Sequence, residues 1–198
     1  MGKTAMVAKQ EVEQRDWSRN RAMWVRLLEE RTGEGVSAWM RKIKRARLTD
    51  EASLRAWVAA RGVTGYARSL LLMERFGYPD FLRASGAELI DRQYADRPDL
   101  RPIYDAVLAA ALGLGDFVIQ ARKTYVSLLT PRRTFARIQP TTRTRVDLAL
   151  RIDRRPSGRL RRSTIHATMP VQLGLASVHD LDAEAVALLR EAYQLNCA

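Results

Sequence analysis

The sequence predicts an α+β protein: an N-terminal helical bundle, then an antiparallel β-sheet of about five strands, closed by a C-terminal helix. Two observations carry that prediction. Apolar residues recur with a helical period as far as Leu112, alternate from Phe117 onward, and return to helical spacing after Asp182. Turn-forming residues fall where the period breaks, at Gly33 and Gly35, Gly62, Gly77, Gly113 and Gly115, Pro131, and Pro156-Ser157-Gly158.

Taken in order, Trp17, Trp24, Leu27 and Leu28 form a first helical stripe, and Val36, Trp39, Met40 and Ile43 a second. Asp50 is placed to cap a third helix carrying Leu54, Trp57 and Val58, with Gly62 positioned to end it in the left-handed conformation. A fourth runs from Tyr66 to Phe76. Ser85-x-x-Glu88 is a capping box ahead of Leu89 and Ile90. Arg101-Pro102 opens a longer, alanine-rich helix, Ile103 to Leu112. Strands are expected over 118–122, 124–129, 134–139, 145–152 and 164–175, and Asp182 caps the last helix. This divides the chain into a flexible tail (1–15), a helical module (16–97) and an α+β domain (98–198).

The 198 residues are 46% hydrophobic, enough to bury a core, and no apolar run approaches the length of a membrane span. The N-terminus has no apolar core of a secretory signal, and Cys197 is the single cysteine, so no internal disulfide forms. A cytoplasmic protein is expected. The net charge is +12, and residues 122–162 account for +11 of it, with thirteen Lys and Arg against Asp147 and Asp153. The positive charge is therefore local.

Alternation decides where that charge points. In the fourth strand Thr144, Val146, Leu148, Leu150 and Ile152 share one face, and Arg143, Arg145, Asp147, Ala149 and Arg151 the other. A slip of one residue would bury three guanidinium groups, so the apolar set faces the core. By the same rule Ala136 and Ile138 point inward while Phe135, Arg137 and Gln139 point outward, and His166 joins the outward face of the last strand. Arg132, Arg133 and the arginines from Arg154 to Arg162 lie mainly in turns at its rim, and Arg122 and Lys123 join the candidate anion-binding set. A solvated polar face is ordinary for an antiparallel sheet, but like charges opposed across strands are destabilising. So dense a cluster points to an anionic partner.

Arginine forks match phosphate oxygens, and Tyr125 and Phe135 could stack on bases, so nucleic acid bound without sequence preference is the leading expectation. A second reading is a module that binds an anionic small molecule or a protein, in an expected pocket between the helical module and the sheet that Trp39, Trp57, Tyr66 or Tyr125 would line. Arg41, Lys42, Lys44, Arg45 and Arg47 form a smaller basic cluster at the end of the second helix, where cations also complement the helix dipole. No nucleotide loop, metal motif or nucleophile motif is present, so no cofactor, metal or catalytic residue is assigned.

The run RKTYVSLLTPRRTFARIQPTTRTRVDLALRI (122–152), with LASVHDLDAEAVALLREAYQ (175–194), resembles a bacterial C-terminal domain of unknown function that sometimes carries the label "predicted transport protein". RTGEGVSAWM and GVTGYARSLLLMERFG resemble the small helical module that often precedes that domain, commonly in actinobacteria. The resemblance implies a helical part followed by an α+β part in a cytoplasmic protein, and it implies no activity.

Overall fold

The computed structural model describes residues 12–14, 17–82 and 84–197. It divides into two compact units, residues 16–83 and residues 1–15 with 84–198.

The smaller unit is all helical: α1 (Trp17–Thr32), α2 (Val36–Arg45), α3 (Glu51–Ala59) and α4 (Gly65–Phe76). The predicted signals form these boundaries. The Asp50 carboxylate accepts from the Ser53 amide at 2.8 Å, and the C-terminal turn of α3 closes through Gly62, whose φ is +79°. Leu28, Ile43, Leu54, Val58, Leu70 and Leu71 fill the core, with Trp39 packed edge-on against Trp57. Trp17 opens α1, but its side chain lies outside the described residues.

The larger unit is a seven-stranded sheet with three helices: β1 (Val12–Gln14), β2 (Val118–Ala121), β3 (Val126–Leu129), β4 (Thr134–Pro140), β5 (Val146–Leu150), β6 (Arg161–Arg162) and β7 (Val171–Leu175), with α5 (Gly86–Tyr94), α6 (Arg101–Leu112) and α7 (Ala183–Cys197). The strand order is β1-β2-β3-β4-β5-β7-β6, antiparallel throughout except that β1 runs parallel to β2. The rest of the predicted tail lies outside the described residues. Residues 84–97 continue the helical periodicity of the first half but belong to this unit. Buried Gln93 on α5 donates from Nε2 to the Arg122 carbonyl at 2.8 Å, which ties the helix to the end of β2.

Cross-strand register builds the core in rows. Ile119, Leu128, Ala136, Leu150 and Val171 form one, and Ala121, Val126, Ile138, Leu148 and Leu173 the next. All are buried, and Leu188, Leu189 and Ala192 of α7 are buried with them. Among the described residues no helix is long and apolar enough to cross a membrane.

Three expectations need correction. Phe135 does not face outward: it is fully buried, edge-on to both Phe117 and Tyr193. The register shifts there, Leu128 pairing with Ala136 but Leu129 with Thr134, so Phe135 is the extra residue of a β-bulge. A bulge resets the alternation locally and turns this ring into the core. His166 is not on a strand, because β7 begins only at Val171 and residues 164–168 form turns around it. Arg143 and Thr144 belong to the exposed β4–β5 turn rather than to β5.

Two local features have measurable consequences. Gly115 has φ +139°, and a Cβ there would collide with the Tyr193 hydroxyl, which donates to the Asp116 carbonyl. Gly115→Ala is expected to cost about 1–3 kcal/mol in urea unfolding. Tyr94 and Tyr104 are buried against one another, 5.6 Å between ring centroids, and neither hydroxyl has a hydrogen-bond partner. Burial raises both phenols, pushing Tyr104 up from 10.0 to about 12. The folded state holds these groups neutral, so the contribution of Tyr104 is complete below pH 10 and is lost as pH climbs to about 12, and that of Tyr94 is lost only at still higher pH. Because an unpartnered buried hydroxyl is a cost, Tyr104→Phe is expected to be neutral or to stabilise by up to about 1 kcal/mol. The variant should also flatten the alkaline limb of a stability-against-pH curve.

Candidate anion-binding face

The face of the sheet opposite the core is built from the alternate residues. One row runs Gln120, Ser127, Arg137, Ala149, Gln172 and Arg161 across six strands, and the next includes Gln139, Asp147 and Gly174. Small residues lie between the arginines. Ser127 and Ala149 are buried although they face away from the core, as the stems of long neighbouring side chains would cover them. Arg145 crosses Gly174, where a Cβ would come within 2.9 Å of its Cδ.

The arginines on this face do two different things. Arg145 is structural. Its Nη2 donates to Oδ2 of Asp147 at 3.2 Å, and its Nε lies 2.9 Å from Oδ1, a contact too bent to be a hydrogen bond. Asp147 is only 1% exposed, so it neutralises one cation and offers nothing further to solvent. Arg137, Arg151 and Arg133 have no carboxylate partner among the described residues. The Arg137 guanidinium sits 4.1 Å from the centroid of the Tyr125 ring, and the Nε atoms of Arg137 and Arg151 are buried without a hydrogen bond. Burial, and then the like charges of Arg133 and Arg137, hold the Arg151 pKa below its ordinary value. These three cations are therefore gathered against their mutual repulsion.

A cleft of about 370 Å³ opens beside this group, lined by Arg133, Arg151, Ile152, Asp153, Thr168, Pro170, Leu195 and Asn196. Asn196 is fully buried. Its Nδ2 donates to the Arg151 carbonyl at 2.9 Å, its own carbonyl accepts from Thr130 Oγ1 at 2.6 Å, and its Oδ1 has no partner. His166 reaches the cleft wall only indirectly, with Nδ1 2.9 Å from the Thr168 hydroxyl.

The rim residues divide. Arg122 and Lys123 follow β2, and Lys123 lines a second cleft of about 300 Å³ with Arg92, Asp96 and Arg97. Arg97 ties down the β4–β5 turn, donating from Nη1 to the carbonyls of Pro140 at 2.9 Å and Thr142 at 3.2 Å. Arg143 stands on that turn and contributes to holding the Asp96 carboxyl below its ordinary range, after the direct Arg97 bond. Arg132 and Arg133 occupy the β3–β4 turn, where Thr130 Oγ1 accepts from the Arg133 amide. Further along, Arg154 pairs with Glu191, and Arg159 with Asp182. The local excess of charge is thus smaller than the residue count, and Arg133, Arg137 and Arg151 count among the cations that keep no carboxylate partner within the described residues.

Trp39, Trp57 and Tyr66 are used in packing the helical unit. Trp39 Nε1 donates to Thr32 Oγ1 at 3.0 Å, the Arg61 guanidinium lies 3.7 Å from the centre of the Trp57 ring, and Tyr66 stacks on Trp24 at 5.1 Å. Sequence reasoning missed Thr168 and Asn196, which line the arginine cleft. Neither stands in a pattern that singles it out. Among the described residues no group of His, Cys, Asp or Glu is placed to hold a metal ion.

A family model described as a domain of unknown function (DUF5655) matches residues 90–196, which hold β2 to β7 and the arginine face. No curated protein and no solved structure matches the chain.

Proposed function

From a chain that belongs to the DUF5655 family, we propose a protein that binds nucleic acid through its sugar-phosphate backbone, largely independently of sequence, on the arginine face of the sheet. The observation that carries this reading is the group Arg133, Arg137 and Arg151, which have no ion-pair partner among the described residues, with the Nε atoms of Arg137 and Arg151 buried without a hydrogen bond. Such an arrangement is costly alone and becomes favourable when an anion satisfies it.

A polymer fits better than a single small anion because the cations are spread. Arg137 and Arg161 occupy the same cross-strand row on β4 and β6, three strand spacings apart, or about 14 Å at ~4.8 Å per strand. One phosphate cannot bridge that distance, whereas successive phosphates of a strand can. The stacked Arg137–Tyr125 pair adds a flat platform against which a base can lie.

The test is fluorescence anisotropy with labelled single-stranded DNA, duplex DNA and RNA. Binding should weaken linearly in log–log form with salt, with a slope of about −0.7 per neutralised phosphate on single strands and about −0.9 on duplex. If none of the three binds at low salt, the proposal fails. The cleft at Arg133 and Arg151 supports a second reading, a small phosphorylated or carboxylated ligand. That reading predicts saturable thermal stabilisation by inorganic phosphate or a nucleoside monophosphate, with no benefit from longer chains.

A further inference from the structure

The helical unit carries its own site, independent of the sheet and outside the family match. We propose that it binds an amphiphilic organic anion, a fatty-acid-like carboxylate, in a cleft between α2, the loop that follows it, and α4.

The cleft has a volume of about 510 Å³, within the range of pockets that hold small molecules, roughly 300–1,000 Å³. Met40, Ile43 and Leu48 supply its apolar wall. Four cations surround that wall, Arg41, Lys44 and Arg47 from α2 and its loop and Arg75 from the last turn of α4. No carboxylate lines the cleft, and among the described residues none of the four cations has an ion-pair partner. Arg75 instead donates weakly to the Leu48 carbonyl at 3.4 Å, closing one end of the cleft.

The usual reason for basic residues at a helix end is the dipole, which contributes about half a negative charge. Four cations, one of them from α4, exceed that need. The backbone gives a second, independent sign. Arg47 is the only described non-glycine residue with positive φ, at +51°, just beyond the helix end where glycine is the ordinary choice. A side chain kept there at a steric cost is placed for what its head does. An apolar cavity ringed by cations of one sign is complementary to a ligand with a hydrocarbon tail and a single negative head. It repels the same tail carrying an ammonium.

The experiment uses the full chain and three ligands of equal chain length below their micelle concentrations: laurate, dodecylamine and dodecanol, titrated calorimetrically. Laurate should bind saturably, one per chain, at least about tenfold tighter than dodecanol, a ratio equal to 1.4 kcal/mol, and dodecylamine should not bind. Arg47→Glu with Lys44→Glu should weaken laurate by about tenfold or more. Arg137→Glu on the sheet should leave it unchanged, so this site and the nucleic-acid reading fail separately. Met40→Asp offers a second variant, one that removes the apolar wall while keeping all four cations, and it should also abolish binding. Equal binding of dodecylamine, absence of laurate binding, or association with anionic vesicles but not with dispersed laurate would each overturn the proposal.

Discussion

A Phe135→Ala variant is expected to lose about 3–5 kcal/mol of stability, the range for truncating a fully buried aromatic ring. In a domain of this size that corresponds to a fall in Tm of roughly 10 °C. The ring is held by two edge-to-face contacts, with Phe117 at 5.7 Å and Tyr193 at 5.3 Å, so its removal empties the junction between β4, α7 and the segment entering β2. Phe135→Leu keeps most of the apolar volume and should cost about 1–2 kcal/mol. Urea unfolding of both variants checks the claim. A cost below about 1 kcal/mol for the alanine would mean that the bulge does not place this ring in the core.

Charge reversal at Arg133, Arg137 and Arg151 is expected to abolish nucleic-acid binding and leave the chain folded. Each lost phosphate contact removes about 0.7 from the salt slope on single strands, so replacing the three by Gln, which removes the contacts without reversing the charge, should leave weak binding with a slope shallower by about 2. Arg145 behaves differently, because its partner Asp147 is buried. Arg145→Glu would place two carboxylates together and unfold the sheet rather than report on binding. Arg151→Met separates the two kinds of contribution. It keeps the apolar stem, removes a part-buried charge from beside Arg133 and Arg137, and should raise stability while weakening binding. A variant that lost both would make Arg151 a structural residue. Anisotropy and thermal melts on the same preparations give the answer.

Much of the architecture can be read from side-chain period alone. Val146, Leu148 and Leu150 alternate against Asp147 and Ala149 because one face must be dry, and the register rows show that face directly. The caps at Asp50 and Ser85 form because their short side chains reach an amide three residues on. Three things were not legible, for distinct reasons. A bulge is a property of a strand pair, so Phe135 carries no mark of it in its own strand. The turns around His166 are stabilised by local bonds, Thr168 to the ring and Ser163 to the Ile165 amide, that a stretch of alternating residues does not reveal. The split of the arginines into one paired with a carboxylate and three without such a partner depends on which of them lies beside Asp147, a matter of rotamer and neighbour rather than of pattern.

The strand Val12–Gln14 gives the larger unit a timing problem during synthesis. Its partner, β2, is made about a hundred residues later, after the whole helical unit, and the pairing is parallel, so no hairpin can form it early. Until that closure occurs, the backbone amides and carbonyls along one side of β2 have no partner. A nascent or truncated chain lacking residues 1–15 presents them to any other extended segment. The excised fragment 84–198 is therefore expected to self-associate, and adding back the N-terminal segment as a separate peptide should reverse it, as sedimentation would show. The short, polar Val-Glu-Gln strand thus acts as a guard on the sheet's edge.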